Sequence, residues 1–364
     1  MANKLGVAII GCGNIANAYA ENIVTYPQIT LTGVADLDFE RAKEMAGKYN
    51  CTAYPSVEVL LADANVDMVV NLTIHHAHKE IVTQCLKAGK HVHSEKPLAL
   101  TYEDAQMLVE LAKDKQLRLG CSPFTFMGEG QQTAWKAINE GRLGTVRVAY
   151  AEVNWGRIES WHPAPKPFYE VGPLFDVGVY PLTLLTAIFG PARKVFAYGT
   201  VLYPDRVTKD GTPFHLDTPD FVTTAIELAN GTVVRLTANF YVGFHSKQKP
   251  GIEFHGDQGS LYLSNWHDFN GTVEYADFGG EYKPVPYVKE PYQGPRKVEW
   301  GRAVLDMAEA ITENRPHRAT GEQAAHVVEI LCAVKESLET NKPVSVNSSF
   351  SQPELMGWTM EASQ

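Results

Sequence analysis

The sequence predicts an α/β protein in two parts: a doubly wound parallel sheet at the N-terminus, followed by an α+β domain built on a large, mostly antiparallel open sheet. Three observations predict it. Short apolar runs alternate with helix-period segments as far as residue 122. Longer runs that alternate apolar and polar residues, joined by turn residues, fill the region beyond about 190. The length, 364 residues, exceeds what one hydrophobic core usually supports.

In the first part, LGVAII (5–10), ITLTGVAD (29–36), VDMVVNLT (66–73), KHVHSE (90–95) and QLRLGCS (116–122) read as strands. The segments 14–26, 38–49, 76–88 and 101–115 between them carry apolar residues at three- and four-residue spacing and read as helices. Near-continuous apolar strands separated by helices imply a parallel sheet covered on both faces. After 122 a helix near 128–140, a strand at 145–154 and a helix at 174–189 are predicted. The runs KVFAYGTVLY, DFVTTAIELANGTVVRLTANFYV and GIEFHGDQGSLYLS then have Asn230-Gly231 and Asp257-Gln258-Gly259 at their turns, which are hairpin signals. Helices return at 298–314 and 321–340. The expected division is 1–122 and 123–364, with the C-terminal helix packing back on the first domain.

Hydrophobic residues make up 45% of the chain, which excludes a disordered segment of this length. The net charge of -10, with no run of Lys or Arg, argues against a nucleic-acid partner. Five scattered cysteines without a C-x-x-C pair read as reduced thiols, and the cytoplasm is the expected compartment. The opening MANKLGVAIIGCG reads as a first strand rather than an export signal. No apolar stretch comes near the roughly 20 residues of a membrane helix, so no membrane partner is expected.

The first strand runs directly into Gly11-Cys12-Gly13-Asn14-Ile15-Ala16. In this G-x-G-x-x-A pattern the first glycine permits a tight turn and the second lets the backbone approach a pyrophosphate. The alanine lets the helix pack close to the strand. The helix N-terminus then offers free N–H groups and partial positive charge to the phosphates. Asp36 ends the second strand, where its carboxylate can bind both ribose hydroxyls and repel a 2′-phosphate. The first domain is therefore read as a Rossmann domain that prefers NAD, while Arg41 nearby leaves NADP possible. The alternative is a plain strand–helix turn, with Asp36 capping the helix that begins near Asp38.

Ligands of such sheets lie beyond the carboxyl ends of the strands. Two ends stand out: Thr73-Ile74-His75-His76-Ala77-His78 and His93-Ser94-Glu95-Lys96-Pro97. Asn14, Ile15, Thr73, His75, His78, Glu95 and Lys96 thereby join Gly11, Gly13, Asp36 and Arg41 as cofactor-binding candidates. Pro97 biases Lys96 away from helix, so its ammonium projects from a stiff backbone. There it can favour the alkoxide character that develops as hydride leaves a carbinol carbon. A solvated surface lysine is the equal alternative. In the second domain Pro173 suits a first helical position, which places Asp176 and Tyr180 one turn apart on one face. A carboxylate and a phenol so placed can bind adjacent hydroxyls and exchange a proton. The alternative is a structural Asp176 and a core Tyr180. The loop NWGRIESWHPAP carries Trp155, Arg157, Trp161 and His162, and Trp faces can stack on sugar rings or pack an interface. The histidines lack the spacing of a zinc site, and no metal is assigned.

Taken together, the glycine pattern at 11–16, Asp36, Glu95-Lys96-Pro97, INEGRLG at 138–144 and the D-x-G-x-Y segment at 176–180 resemble the Gfo/Idh/MocA family, named for glucose-fructose oxidoreductase and inositol dehydrogenase. The resemblance runs over nearly the whole chain. It implies that Lys96 contacts substrate and nicotinamide ribose, that Asp176 binds substrate and that Tyr180 transfers the proton. It implies an NAD(P)-dependent oxidoreductase acting on a secondary hydroxyl of a sugar, glycoside or polyol, paired through its open sheet into a homodimer or homotetramer. The commoner pattern has His at the position of Tyr180 and a glycine run at Val171-Gly172-Pro173. Two rival functions remain: an NAD-dependent glycosidase working by transient oxidation, and a non-catalytic NAD-binding regulator.

Overall fold

The structure is a computed structural model that describes residues 4–243, 245–248, 250–294 and 296–361. The chain divides into two compact units, one formed by 1–124 with 294–328 and the other by 125–293 with 329–364.

The first unit begins with β1 (Leu5–Ile10), α1 (Ala16–Ile23), β2 (Ile29–Ala35), α2 (Phe39–Tyr49), β3 (Thr52–Ala53) and α3 (Val57–Ala62). It continues through β4 (Met68–Asn71), α4 (His78–Lys87), β5 (His91–Ser94), α5 (Tyr102–Asp114) and β6 (Leu119–Cys121). The strands form one parallel sheet in the order β3-β2-β1-β4-β5-β6. Val7, Ala8, Ile9, Val69 and Val70 are each 0% exposed, which is why these strands read as unbroken apolar runs: helices cover both faces. The strand order reverses between β1 and β4, and the β1–α1 turn sits at that switch point, where a doubly wound sheet opens a crevice for ligands. The short β3 and α3 were not predicted. Six residues between Pro55 and Ala62 are too few for periodicity to speak.

In the second unit α6 (Glu129–Asn139) leads to β7 (Val146–Asn154), then α7 (Lys166–Pro173), a π-turn at Leu174–Gly178 and α8 (Val179–Phe189). Next come β8 (Ala192–Thr200), a small hairpin of β9 (Asp205–Val207) and β10 (Pro213–His215), then β11 (Phe221–Leu228) and β12 (Val233–Asn239). The strands β13 (Gly251–Gly256), β14 (Gly259–Leu263), β15 (Val273–Asp277) and β16 (Lys283–Val285) complete this stretch. The last elements are α9 (Arg302–Glu313), which counts with the first unit, α10 (Gly321–Thr340), β17 (Val344–Ser345) and α11 (Gly357–Glu361). The second sheet runs β16-β15-β14-β13-β7-β12-β11-β8-β17. Among the described strands it is antiparallel except where β7 pairs with β12. Its strands alternate in burial, as one covered and one open face require.

Two expectations need correction. The helix predicted for 174–189 is preceded by α7, and Gly172 (φ 78, ψ 166) breaks the path between them, so the chain enters α8 through a π-turn. The span Lys166–Phe189 is also long and apolar enough in composition to cross a membrane, contrary to the reading that no such stretch exists; 83% of its apolar window is buried inside the protein.

Candidate active site

The glycine turn separates the jobs of its two glycines. Gly11 has φ 95, and a Cβ there would lie 2.8 Å from the carbonyl of Leu72, so neither backbone nor space admits a side chain. Gly13 has no atom within 4 Å of where its Cβ would be. Its open side is a cradle that a side chain would fill, as the fit of a pyrophosphate against backbone requires. Ala16 is 0% exposed and packs α1 against the sheet. The helix cap, Ile15, provides no side-chain hydrogen bond to the N-terminal N–H groups, and Asn14 beside it is exposed.

Asp36 is held at the end of β2 by two backbone donors: Cys12 N–H reaches Oδ2 at 2.7 Å and Asp38 N–H reaches Oδ1 at 2.8 Å. The capping alternative belongs to its neighbour, because Asp38 accepts from Glu40 and Arg41 N–H at the start of α2. Arg41 pairs with Asp36 at 3.4 Å and with Asp38 at 3.6 Å. Burial, with the Asp36 charge second, pushes the Cys12 thiol up to about 12 and keeps it protonated beside the turn.

The end of β5 is fastened from behind. Glu95 Oε1 accepts from the Tyr19 hydroxyl at 2.6 Å, and Oε2 accepts from the Lys96 backbone N–H at 3.1 Å. Tyr19, 0% exposed, also meets the Ser122 hydroxyl at 2.9 Å, and His93 Nε2 lies 3.3 Å from the same hydroxyl. Complete burial lowers the His93 pKa to about 3, so the ring in this chain is neutral at ordinary pH. Lys96 therefore leaves a backbone tied through the half-buried Glu95 to a buried Tyr19–Ser122–His93 group, and the Lys96-Pro97 peptide is cis. His78, 1% exposed, lies 2.7 Å from the Pro97 carbonyl through Nδ1 and 3.0 Å from the Thr73 carbonyl through Nε2. Its ring ties the β4 end to the Lys96-Pro97 turn and presents neither nitrogen to a ligand. The Thr73 hydroxyl donates to Asn71 at 2.7 Å, while the His75 and His76 rings meet tilted at 45° with centroids 4.1 Å apart. Among the described residues no group of three or more His, Cys, Asp or Glu could hold a metal ion.

In the second unit Asp176 lies in the π-turn and Tyr180 in the first turn of α8, where Tyr180 is 8% exposed. The Tyr180 ring contacts His267 at 5.0 Å and Trp266 at 5.9 Å between centroids, and Trp155 meets Trp266 at 5.8 Å. Trp155 and Tyr180 thus share one aromatic cluster, and His267 Nδ1 lies 2.8 Å from Asp268. Beside the cluster opens a cavity of about 560 Å³ whose walls include Trp155, Asn265, Trp266, His267 and Asp268. The other loop residues go elsewhere. The Arg157 guanidinium lies over the rings of Tyr203 (4.9 Å) and Tyr241 (4.6 Å), and Trp161 and His162 cluster with Phe168. The sequence reading missed Tyr19 and Ser122 behind Lys96, and Asn265 to Asp268 beside Tyr180. The segment SNWHDFNG looks like a turn between strands; its one unusual signal is an adjacent Trp-His-Asp.

A glycine turn at the switch point of a six-stranded parallel sheet is the architecture of a dinucleotide-binding domain. Residues 5–122 match the family described as an oxidoreductase family with an NAD-binding Rossmann fold, and residues 131–262 match the Gfo/Idh/MocA C-terminal domain. The chain belongs to the Gfo/Idh/MocA family. It is similar to myo-inositol 2-dehydrogenase of Thermotoga maritima, 26% identical over 93% of this chain and 98% of that protein. The match to trans-1,2-dihydrobenzene-1,2-diol dehydrogenase of Mus musculus is 30% identical and spans 53% of this chain and 59% of that protein. Its fold resembles that of aldose-aldose oxidoreductase from Caulobacter crescentus complexed with glycerol, with TM-score 0.80, 18% identity and coverage of 94% and 100%. It also resembles that of levoglucosan dehydrogenase in complex with NADH and L-sorbose, with TM-score 0.82, 21% identity and coverage of 95% and 99%.

Proposed function

We infer that the protein oxidises, or in reverse forms, a secondary hydroxyl of a sugar, glycoside or polyol, with NAD as the preferred partner and NADP admissible. When bound, the nicotinamide supplies the hydride acceptor. The remaining work falls to this chain's side chains. The Lys96 ammonium binds the reacting hydroxyl and favours negative charge on its oxygen. Asp176 accepts a hydrogen bond from a neighbouring hydroxyl, and the Tyr180 phenol carries the hydroxyl proton. Asp36, with Arg41 drawn onto it, binds a ribose diol rather than a 2′-phosphate. The observation that carries the reading is the fastening of Lys96. A surface lysine needs no half-buried Glu95 tied to a buried Tyr19–Ser122 pair behind its backbone, whereas a group that must meet a reacting atom does.

The test is a screen of sugars, inositols and glycosides with NAD and NADP, followed by absorbance of the reduced nicotinamide. Turnover of a member of these classes is expected, and binding of NAD without turnover on any of them refutes the assignment.

Assembly follows from the open sheet face. Phe196, Tyr198 and Val233 are 46%, 59% and 44% exposed and project from one face of β8 and β12. Such a face calls for cover, and pairing of two or four copies through it supplies that. A monomeric mass by light scattering overturns this. None of the five cysteines is paired in a disulfide, which suits the cytoplasm.

A further inference from the structure

We propose that Arg157 binds an anionic group of the substrate, which makes that substrate a sugar acid or a sugar phosphate; this names the substrate class of the oxidoreductase reading above and rests on it. The carrying observation is a row of side chains within the second unit. The Arg206 guanidinium lies 4.6 Å from the Tyr169 ring centre and 5.4 Å from that of Tyr203. The Arg157 guanidinium lies 4.9 Å from the same Tyr203 ring and 4.6 Å from Tyr241. Two guanidinium groups thus share one aromatic setting, each against two tyrosines.

Their N–H groups are used differently. Arg206 is buried and donates to Asp220, to Glu159 at 2.8 Å, to the Tyr169 hydroxyl and to the Tyr203 carbonyl. Arg157 is exposed, and its guanidinium has no hydrogen bond or ion pair among the described residues. An arginine kept only to pack its loop would spend some of its five donors on nearby carbonyls or carboxylates, as Arg206 does. The inner guanidinium is satisfied by carboxylates of this chain, and the outer one is built for the same chemistry from solution.

The mount is stiff. Gly156 N–H donates to the Val242 carbonyl at 3.0 Å, Ser160 N–H donates to the Arg157 carbonyl at 3.0 Å, and Ile158 beyond it is 0% exposed. Held between two rings on a fixed backbone, the guanidinium escapes most of the ordering cost that a solvated arginine meets on binding. Its planar fork fits two oxygens of a carboxylate or phosphate, whereas a neutral hydroxyl leaves the charge uncompensated. The hydroxyls of Tyr203 and Tyr241 have no hydrogen-bond partner among the described residues and are further donors beside it. The place in the fold suits a substrate contact. Strands β7 and β12 are parallel and end opposite each other at Asn154 and Asn239, from which the chain runs to Arg157 and to Tyr241. The π-turn that carries Asp176 rests on the same end of β12, where a Cβ on Gly178 would lie 3.6 Å from that of Ala238.

The experiment is calorimetric titration of the full chain, with NADH present, by glucose, glucuronate and glucose 6-phosphate, which differ only at C6. At least one anion should bind tenfold or more tighter than glucose. Arg157→Met should bring that ratio to within twofold of one, and Arg157→Lys, which keeps the charge and loses the fork, should restore only part of it. A preference for glucuronate assigns the site to a carboxylate, and one for glucose 6-phosphate assigns it to a phosphate. Anions that bind no tighter than glucose, or a preference that survives Arg157→Met, overturn the site. Should Arg157→Met fail to fold, Tyr241→Leu removes one ring from the clamp and must lower the ratio at least threefold, an unaltered ratio overturning the site. Absorbance of the reduced nicotinamide, with NAD and the same three sugars, separates the two readings. An Arg157-dependent preference without turnover of any sugar sinks the oxidoreductase reading and leaves the anion site, whereas turnover without that preference sinks the site alone.

Discussion

The glycine turn permits a prediction in which stability and cofactor affinity move independently. Gly13 does not have positive φ, and its missing Cβ would meet nothing within 4 Å. Gly13→Ala should fold, with stability unchanged or raised by about 0.4–1 kcal/mol through the restricted unfolded chain. The methyl group stands where the pyrophosphate must approach the backbone. Losing one hydrogen bond to a charged group costs about 1.5–3 kcal/mol. At about 1.4 kcal/mol per factor of ten, NAD should bind roughly 10- to 150-fold more weakly. Gly11→Ala should behave in the opposite way. Its Cβ would lie 2.8 Å from Leu72 backbone atoms at φ 95, so it should lose about 1–3 kcal/mol of stability, if not more, before cofactor is considered. Urea unfolding gives the first quantity and calorimetric titration with NAD the second. A stable Gly13→Ala protein that binds NAD as tightly as the wild type refutes the cradle.

Lys96→Met should lower kcat by about 10²–10³ while NAD affinity stays within a fewfold, because the backbone tie to Glu95 does not involve the ammonium; steady-state kinetics beside NAD titration decides it, and unchanged turnover counts against the role. Arg206 is 0% exposed, paired with Asp220, with Glu159 at 2.8 Å and with the Tyr169 hydroxyl at 2.7 Å, so it anchors the loop that leads toward Asp176. Arg206→Met strands a buried Asp220 carboxylate and should cost about 3–5 kcal/mol by urea unfolding, whereas a loss below about 1 kcal/mol would mean the network is not structural. His93 should make the protein acid-sensitive. Its folded pKa of about 3 lies below the 6.5 of the unfolded chain, so between those values the unfolded state takes up the extra proton. Stability should fall as pH drops through that window, by at most about 1.4 kcal/mol per unit from this group. Above the window the group has no effect. Wild type and His93→Leu should therefore converge toward equal acid sensitivity only if this view is mistaken, which urea midpoints at pH 7.5 and 5 will tell.

What the sequence revealed and what it hid divide along one physical line. Patterns that act within a few residues were legible. The unbroken apolar β1 and β4 announced a sheet covered on both sides, and Asn230-Gly231 marked a hairpin whose glycine takes φ 89. The fingerprint could be read because a strand, a turn and a helix impose fixed spacing on the glycines. The π-turn at 174–178 was not legible. Gly172 and Pro173 signal a break, but the kind of turn that follows is set by packing, such as Gly178 closing on Leu174 and Ala238. The four loop residues Trp155, Arg157, Trp161 and His162 looked alike in sequence, yet only Trp155 reaches the cavity, because Arg157 is drawn between two tyrosines more than forty residues away in sequence. Asn265 to Asp268 lie between β14 and β15, where no period constrains them and their turn composition concealed an aromatic wall.

Asp36 shows why a spacing rule can succeed where the role of a loop residue cannot be guessed. Both of its oxygens accept backbone N–H groups, one from the glycine turn itself at Cys12 and one from the entry to α2. The same turn that opens a place for pyrophosphate therefore also aims the carboxylate, before any ligand arrives. Oδ1 also takes the Arg41 guanidinium at 3.4 Å, whereas Oδ2 keeps a further lone pair for a ribose hydroxyl. Pre-setting a charged acceptor removes the ordering cost that a mobile side chain would incur on binding. The distance from Ala16 to Asp36 is thus the length of one helix and one strand around a single turn, a quantity written locally in the chain. The placement of His267 against Tyr180, which joins residues eighty-seven apart by packing alone, is not.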